Sequence, residues 1–395
     1  MPEARAKRRE VWITGIGLVS SLGEGLEAHW EALTQGQAPV TDATTFAPYV
    51  VHPLVKVSFD SQIPKRGDQR QMEPWQRIGT YAAGLALDAA GIAKNVDILS
   101  KTDMVVAAGG GERDFAVDAA ILNDLATSND AGRLLNERLL SDLRPTLSLA
   151  QLSNLLAGNI SIVHGVTGSS RTFMGEESSG VDAVRVAYSR IASGQSEIGL
   201  VGGAYNAERE DTLLLNDLDD FCMKGAPRPV FSSPEPGIAA GSMGAFLVLE
   251  SPEHATARGA TPIAKISGVW SERARRQVEG AIKDKVRALL TTAGTAAGTA
   301  IMSGASGARG ATAPEAEVLA ATGLPVRSIA NRLGHGFEAQ FIAGLALAAL
   351  CVSKGALFPA LPTDPAETGG DAVNRVVVTG VGHWRGEGAG VVEKV

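Results

Sequence analysis

Only two cysteines, Cys222 and Cys351, occur in 395 residues. Two thiols at distant positions form neither a disulfide framework nor a Cys-based metal pattern, and no cofactor motif is read elsewhere. There is no basic excess: 36 Lys and Arg face 43 Asp and Glu, a net charge of −7. That balance gives no reason to expect nucleic acid or an anionic membrane as a partner. Long apolar runs are missing too. Residues 341–352 make a stretch of 12, short of the about 20 needed to span a bilayer, and read as a helix buried between layers. The first ten residues are polar and charged, unlike a secretory signal. The expectation is a soluble cytoplasmic protein, 45% apolar, able to bury a large core in two halves. Cys222, beside Phe221 and Met223, and Cys351, inside the apolar run, are expected to pack rather than react.

What is present reads as α/β. Short apolar strands are predicted at 11–15, 103–108, 198–201, 245–249, 263–268 and 376–379, the pattern of sheets covered on both faces. Ala/Leu-rich helices are predicted at 82–90 and 345–350. A Thr-Gly-(Ile/Val)-Gly string near the start returns at residues 379–382 and hints at internal duplication. Residues 42–76, with Pro48, Pro53, Pro64 and Pro74, are irregular and expected to cap a pocket or form a dimer edge.

The most informative stretch is 171–206, RTFMGEESSGVDAVRVAYSRIASGQSEIGLVGGAYN. It reads as strand, tight turn, helix and second buried strand. Such a turn presents the first helical side chains at the positive end of a helix dipole, where free amides favour negative charge. Acyl-transfer enzymes put nucleophiles at sites of this kind. Here the turn holds Gly175-Glu176-Glu177-Ser178-Ser179-Gly180, so a carboxylate stands at the nucleophile's position.

Four pieces in order carry a resemblance: residues 11–23 (VWITGIGLVSSLG) with Trp30-Glu31-Ala32-Leu33; Arg228-Pro229-Val230-Phe231 with 237–250 (GIAAGSMGAFLVLE); 328–335 (SIANRLGH); and 378–382 (VTGVG). Together with the elbow, the chain resembles the β-ketoacyl-acyl-carrier-protein synthases of the thiolase superfamily, over nearly its whole length. The resemblance implies a thiolase-like five-layer αβαβα sandwich built from two similar halves, residues 1–250 and 251–395. It also implies an acyl carrier protein as partner and assembly as a homodimer or a heterodimer with an active synthase. The strand at 198–201 is expected near the joining sheet edge.

Active members, as the resemblance implies, use a Cys nucleophile, two His and a Lys–Glu pair. Carried over, the Cys falls on Glu177 and the second His on His335, with the two expected within reach of each other. The first His falls near Ser306, within about two residues, the Lys on Ala330 and its Glu on Ser242. The Phe gating the acyl pocket falls on Val381. No metal ligand is implied. Residues 291–313 carry no Asp, Glu, His or Lys, a poor segment from which to build an acid–base site. Three functions stay open: a non-condensing, chain-length-factor-like partner subunit, a malonyl-carrier-protein decarboxylase, or a divergent 3-oxoacyl synthase. The acidic carrier would need a basic patch, with Arg5, Lys7, Arg8 and Arg9, or Lys65, Arg66, Arg70 and Arg77, as candidates.

Overall fold

The computed structural model describes residues 8–111, 113–145, 147, 151–370 and 372–395. Its main feature is an eleven-stranded sheet that repeats one topology twice. The first half holds β1 (Val11–Ser20), β2 (Asp103–Ala107), β3 (Ser170–Phe173), β4 (Ile198–Tyr205) and β5 (Met243–Glu250). The second holds β6 (Ala264–Glu272), β7 (Thr299–Ser303), β8 (Val326–Ser328), β9 (Arg375–Val381) and β10 (Glu387–Glu393). Spatial order is β3-β2-β4-β5-β1 in the first and β8-β7-β9-β10-β6 in the second. In each half the fifth strand runs antiparallel to the first and fourth, while the fourth, second and third run parallel. The halves join where Val11–Ile13 of β1 pair with Ala264–Ile266 of β6.

Helices complete five layers. Helix α1 (Pro74–Ala89) and α2 (Leu155–His164) cover the outer face of the first half, and α4 (Ala281–Ala293) and α5 (Thr312–Thr322) that of the second. Between the two halves of the sheet lie α3 (Glu176–Ala192) and α6 (Gln340–Lys354), whose side chains share one buried cluster with strands of both halves. Local signals set the ends. A Glu73/Gln76 capping box and Pro74 at the first position start α1, satisfying amides that have no helical partner. Gly355, in the left-handed region, stops α6. With the preceding 3-10 turn, α6 forms an 18-residue apolar segment of membrane-spanning length, 89% buried inside the protein. It is the central core helix expected from residues 341–352.

The strands predicted from apolar runs are present, but the edge is not where the sequence suggested. Strand β4 is interior, paired on both sides; the first-half edge is β3, whose Ser170 and Arg171 are exposed. The reason lies in the side chains. Residues 198–203 (IGLVGG) offer no polar face and suit a strand covered on both sides, whereas Ser-Arg-Thr-Phe does not. Residues 42–76 contribute a short parallel ladder, Val51–His52 with Ala240–Gly241, beside the segment that carries His335.

Sheet-to-helix contact is close enough to exclude side chains. A Cβ at Gly17 would lie 2.0 Å from the Ala82 carbonyl oxygen and 2.6 Å from the Ala86 nitrogen, both backbone atoms of α1. Backbone cannot swing aside as a side chain can, so Gly17→Ala is expected to cost about 1–3 kcal/mol or more. In urea unfolding this appears as a lower midpoint at unchanged slope; an unshifted midpoint would mean that β1 and α1 separate more freely than this packing implies.

Candidate functional site

The turn from β3 into α3 is built on two unusual backbone conformations. Gly175 has φ +132° and Glu176, a non-glycine residue, has φ +49°. A left-handed residue of this type costs about 1–3 kcal/mol and persists only where its surroundings fix it. Arg385 supplies that fixing, donating from Nε to Glu176 Oε2 at 3.0 Å and from Nη2 to Oε1 at 3.2 Å. The next residue, Glu177, points inward and is 2% exposed.

One oxygen of Glu177 takes almost everything offered. Oε1 accepts from His335 Nε2 at 2.8 Å, from His383 Nδ1 at 2.8 Å and from the His383 backbone N–H at 3.4 Å. Oε2, His335 Nδ1 and His383 Nε2 are buried without hydrogen-bond partners among the described residues. His335 is fixed by its main chain: its N–H donates to the Ala239 carbonyl and its carbonyl accepts from Gly241 N–H. His383 sits in the loop after β9. Phe221, Phe337 and Trp384 surround the imidazoles, with ring centroids 4.5–5.5 Å away. Burial pushes the Glu177 carboxyl up, but the charge of His383 and the two imidazole hydrogen bonds outweigh it and hold the group well below the usual carboxylate range. Burial likewise disfavours charge on His383, and the Glu177 carboxylate overrides it, raising the imidazole above its ordinary value.

The other sequence-assigned positions do not converge on this cluster. Ser306 and Ala330 line a separate cavity of about 200 Å³ with His52, Ala239 and Asn331; burial pushes His52 there down to about 4. Ser242 accepts from the Ala207 N–H at 2.9 Å and donates to Glu208 Oε2 at 3.2 Å. Val381, assigned to the pocket, packs instead in the outer cluster with Ile301, Val377 and Ala389. Two residues on, His383 is the group that reaches Glu177. The quoted motif 378–382 stops one residue short of it, and a histidine after Gly-x-Gly was the available signal. Glu315 was also missed. Lying just beyond the acid-free segment, it reaches back to accept from Ser303 Oγ at 2.8 Å and Thr379 Oγ1 at 2.6 Å, with burial raising its carboxyl. Both thiols are buried, and burial pushes each up to about 12, which suits packing rather than nucleophilic attack. Among the described residues no group of three or more His, Cys, Asp or Glu is arranged to hold a metal ion.

The two charged partners set a pH window for stability. Glu177 is lowered in the folded state, so its contribution is present above the ordinary 4.5 and lost as pH falls through the folded value. His383 is raised, so its contribution is full below 6.5 and lost as pH rises through the folded value. Glu177→Gln is therefore expected to cost about 1–3 kcal/mol near pH 5.5 and clearly less near pH 9. Urea unfolding at the two pH values checks this, and an equal cost at both would mean that no ion pair is present.

Comparison with known proteins agrees with this architecture. The family described as "Beta-ketoacyl synthase, N-terminal domain" matches residues 8–255. The chain is 27% identical over 274 residues to the 3-oxoacyl-[acyl-carrier-protein] synthase 2 of Vibrio harveyi, covering 66% of this chain and 62% of that protein. It is 26% identical over 272 residues to nodulation protein E of Rhizobium leguminosarum bv. trifolii, covering 66% and 63%. The match thus spans a little over three-fifths of these relatives' lengths. Among solved structures, the ishigamide ketosynthase/chain length factor superposes with TM-score 0.80 at 22% identity, over 98% of this chain and 100% of that one. A β-ketoacyl synthase from Burkholderia phymatum STM815 gives 0.77 at 21%, over 98% and 100%. These structural likenesses establish a thiolase-type fold, and the family match over more than half its length establishes that the chain belongs to the β-ketoacyl synthase family.

Proposed function

We propose that this protein is a condensation-incompetent, synthase-like subunit of fatty-acid or polyketide assembly. In this reading it pairs with an active β-ketoacyl synthase in the manner of a chain-length factor, and the pair is served by an acyl carrier protein. The observation that carries the reading is Glu177 Oε1 accepting from both buried imidazoles. A carboxylate is a competent nucleophile in some enzymes, but on a thioester it would form a mixed anhydride, an uphill acyl transfer. Decarboxylation needs donors for the developing enolate oxygen, and loss of one such donor typically costs about 10²–10³ in rate. The inward N–H groups of His335 and His383 are already engaged by Glu177. This counts against the decarboxylase reading even though His383 adds an imidazole that the sequence analysis lacked. Ser306, Ala330 and Ser242 supply no ionisable group in place of the missing His, Lys and Glu.

The site draws on both halves of the chain, taken as 1–250 and 251–395: Glu177 comes from the first, His335 and His383 from the second. The edge strand β3 favours pairing with another chain, since its outer side has no strand neighbour. Met174 next to it and Ile162 on α2 are 67% and 72% exposed. An interface of the obligate kind buries upwards of about 2,000 Å² and is isologous when the chain pairs with itself. Of the two basic patches, Arg5 and Lys7 lie outside the described residues, and Arg9 is tied to Glu197. Arg70 and Arg77 line an open groove of mixed charge that also holds Arg113, Arg144, Glu73, Asp114, Glu208, Glu210 and Asp211; the face carrying Lys65, Arg66, Arg70 and Arg77 is the candidate carrier surface within the described residues.

Two measurements test this reading. Co-expressed with an intact β-ketoacyl synthase from its own genome, the chain is expected to co-purify as a 1:1 heterodimer by light scattering. Separate, non-associating species for every such synthase would remove the partner role. Glu177→Cys is expected to become acylated by acyl-carrier protein, detected by intact-mass spectrometry, while forming no 3-oxoacyl product above background. Condensation by that single variant would show that the remaining groups suffice for catalysis.

A further inference from the structure

Beside the Glu177 cluster, and independent of any partner role, a cavity of about 390 Å³ opens between β4, the 3-10 turn Phe337–Ala339 and the loop after β9. Its walls are aromatic: Trp75, Tyr205, Phe337 and Trp384 all line it. Its charged lining groups are paired with one exception. Arg209 forks onto Asp211, with Nη2 to Oδ2 at 2.6 Å and Nε to Oδ1 at 2.9 Å. Arg113 pairs with Asp118 and Glu176 with Arg385. The exception is Glu338. It is 6% exposed, and no side chain among the described residues donates a hydrogen bond to it. Its carboxyl lies against Gly109, where an added Cβ would come within 2.6 Å of Oε1. Glycine at 109 therefore leaves the carboxyl room along the cavity wall.

A nearly buried carboxyl whose donor is its own backbone N–H, with no cationic partner in contact and set among aromatic faces, is an incomplete ion pair. Aromatic rings attract cations through their quadrupoles, and a buried charge is tolerated when a partner neutralises it. We propose that this cavity binds a small organic ammonium group, free or at the end of a longer chain, with Glu338 as its counter-ion and the aromatic walls around its alkyl part. A neutral carbonyl ligand would instead need Glu338 protonated as a donor.

The two ligand classes predict opposite pH responses. Burial, with the nearby Glu176 and Glu177 charges, raises the Glu338 carboxyl to about 7, against the pull of its own backbone N–H and of Arg209. Asp211, Arg113, Tyr205, His335, His383 and Arg385 are the other titratable or charged groups around the cavity and the adjoining cluster. An ammonium ligand favours the ionised form, so its binding tightens as pH rises from 6 to 8. A ligand that accepts from the protonated carboxyl weakens over the same range.

The experiment is calorimetric titration of the full chain with hexylammonium and with hexan-1-ol as the uncharged match, at pH 6 and pH 8. The proposal expects hexylammonium to bind at least tenfold more tightly than hexanol at pH 8, and more tightly there than at pH 6. Glu338→Gln, which keeps the shape and removes the charge, is expected to weaken hexylammonium at least tenfold. Leu215→Trp, which narrows the mouth at a half-exposed lining residue, is expected to weaken it without altering the pH trend. Equal affinity for hexanol, unchanged binding by Glu338→Gln, or tighter binding at pH 6 would each overturn the proposal.

Discussion

The geometry of this site depends on a single carboxylate oxygen that accepts from two imidazoles brought in from the other half of the chain. Glu177 comes from the first turn of α3 and is fully enclosed; His335 and His383 come from segments more than 150 residues away. A buried carboxylate left alone would be costly, and two donors from one side resolve that cost. The imidazoles in turn are held against aromatic edges that exclude water. The elbow, the His335 segment and the loop after β9 are thereby tied together, and Glu176 with Arg385 adds a second tie between elbow and loop.

Under the proposed function, that arrangement is how a family fold is retained while its condensing chemistry is given up. The elbow still directs a negative group to a helix N-terminus, where the dipole favours it. The resulting charge is satisfied within the protein rather than developed on a substrate. In a working acyl-transfer site the donors must be free for the transition state. Here the inward nitrogens are occupied in the resting structure. The cavity that holds Ser306 and Ala330 is a separate space whose ionisable lining groups are Arg228 and a neutral, buried His52.

The large-scale fold was legible because it rests on patterns that sequence states directly. Short apolar strands without a polar face and the apolar run of α6 each specify an element on their own; the start of α1 at Pro74, set by the Glu73/Gln76 capping box, was not read, and the helix was expected only from residue 82. The Thr-Gly-x-Gly strings, by contrast, do not mark matching places: residues 14–17 lie in β1, the first strand of its half, and residues 379–382 close β9, the fourth strand of the other. The strand at Ser170–Phe173 was read as the start of the elbow, but its place at the edge was not, because it is four residues long and its position depends on pairing partners far along the chain. The Glu177–His335 contact was anticipated from the elbow and the Gly-His-Gly segment. His383 was not, because it belongs to a loop whose direction is fixed by Arg385 and Glu176 rather than by any periodicity. Glu338 was invisible for a similar reason: its isolation is a property of what surrounds it, not of its own neighbours in sequence.

The most direct test of this account is turnover by the unmodified chain on its own. Incubated with acyl- and malonyl-carrier protein and followed by mass spectrometry of the carrier-bound products, the isolated protein is predicted to give neither 3-oxoacyl nor acetyl product above the protein-free background. Robust 3-oxoacyl formation without a partner would contradict the central claim, because it would require that Glu177 release its imidazoles and that condensation proceed without the missing nucleophile.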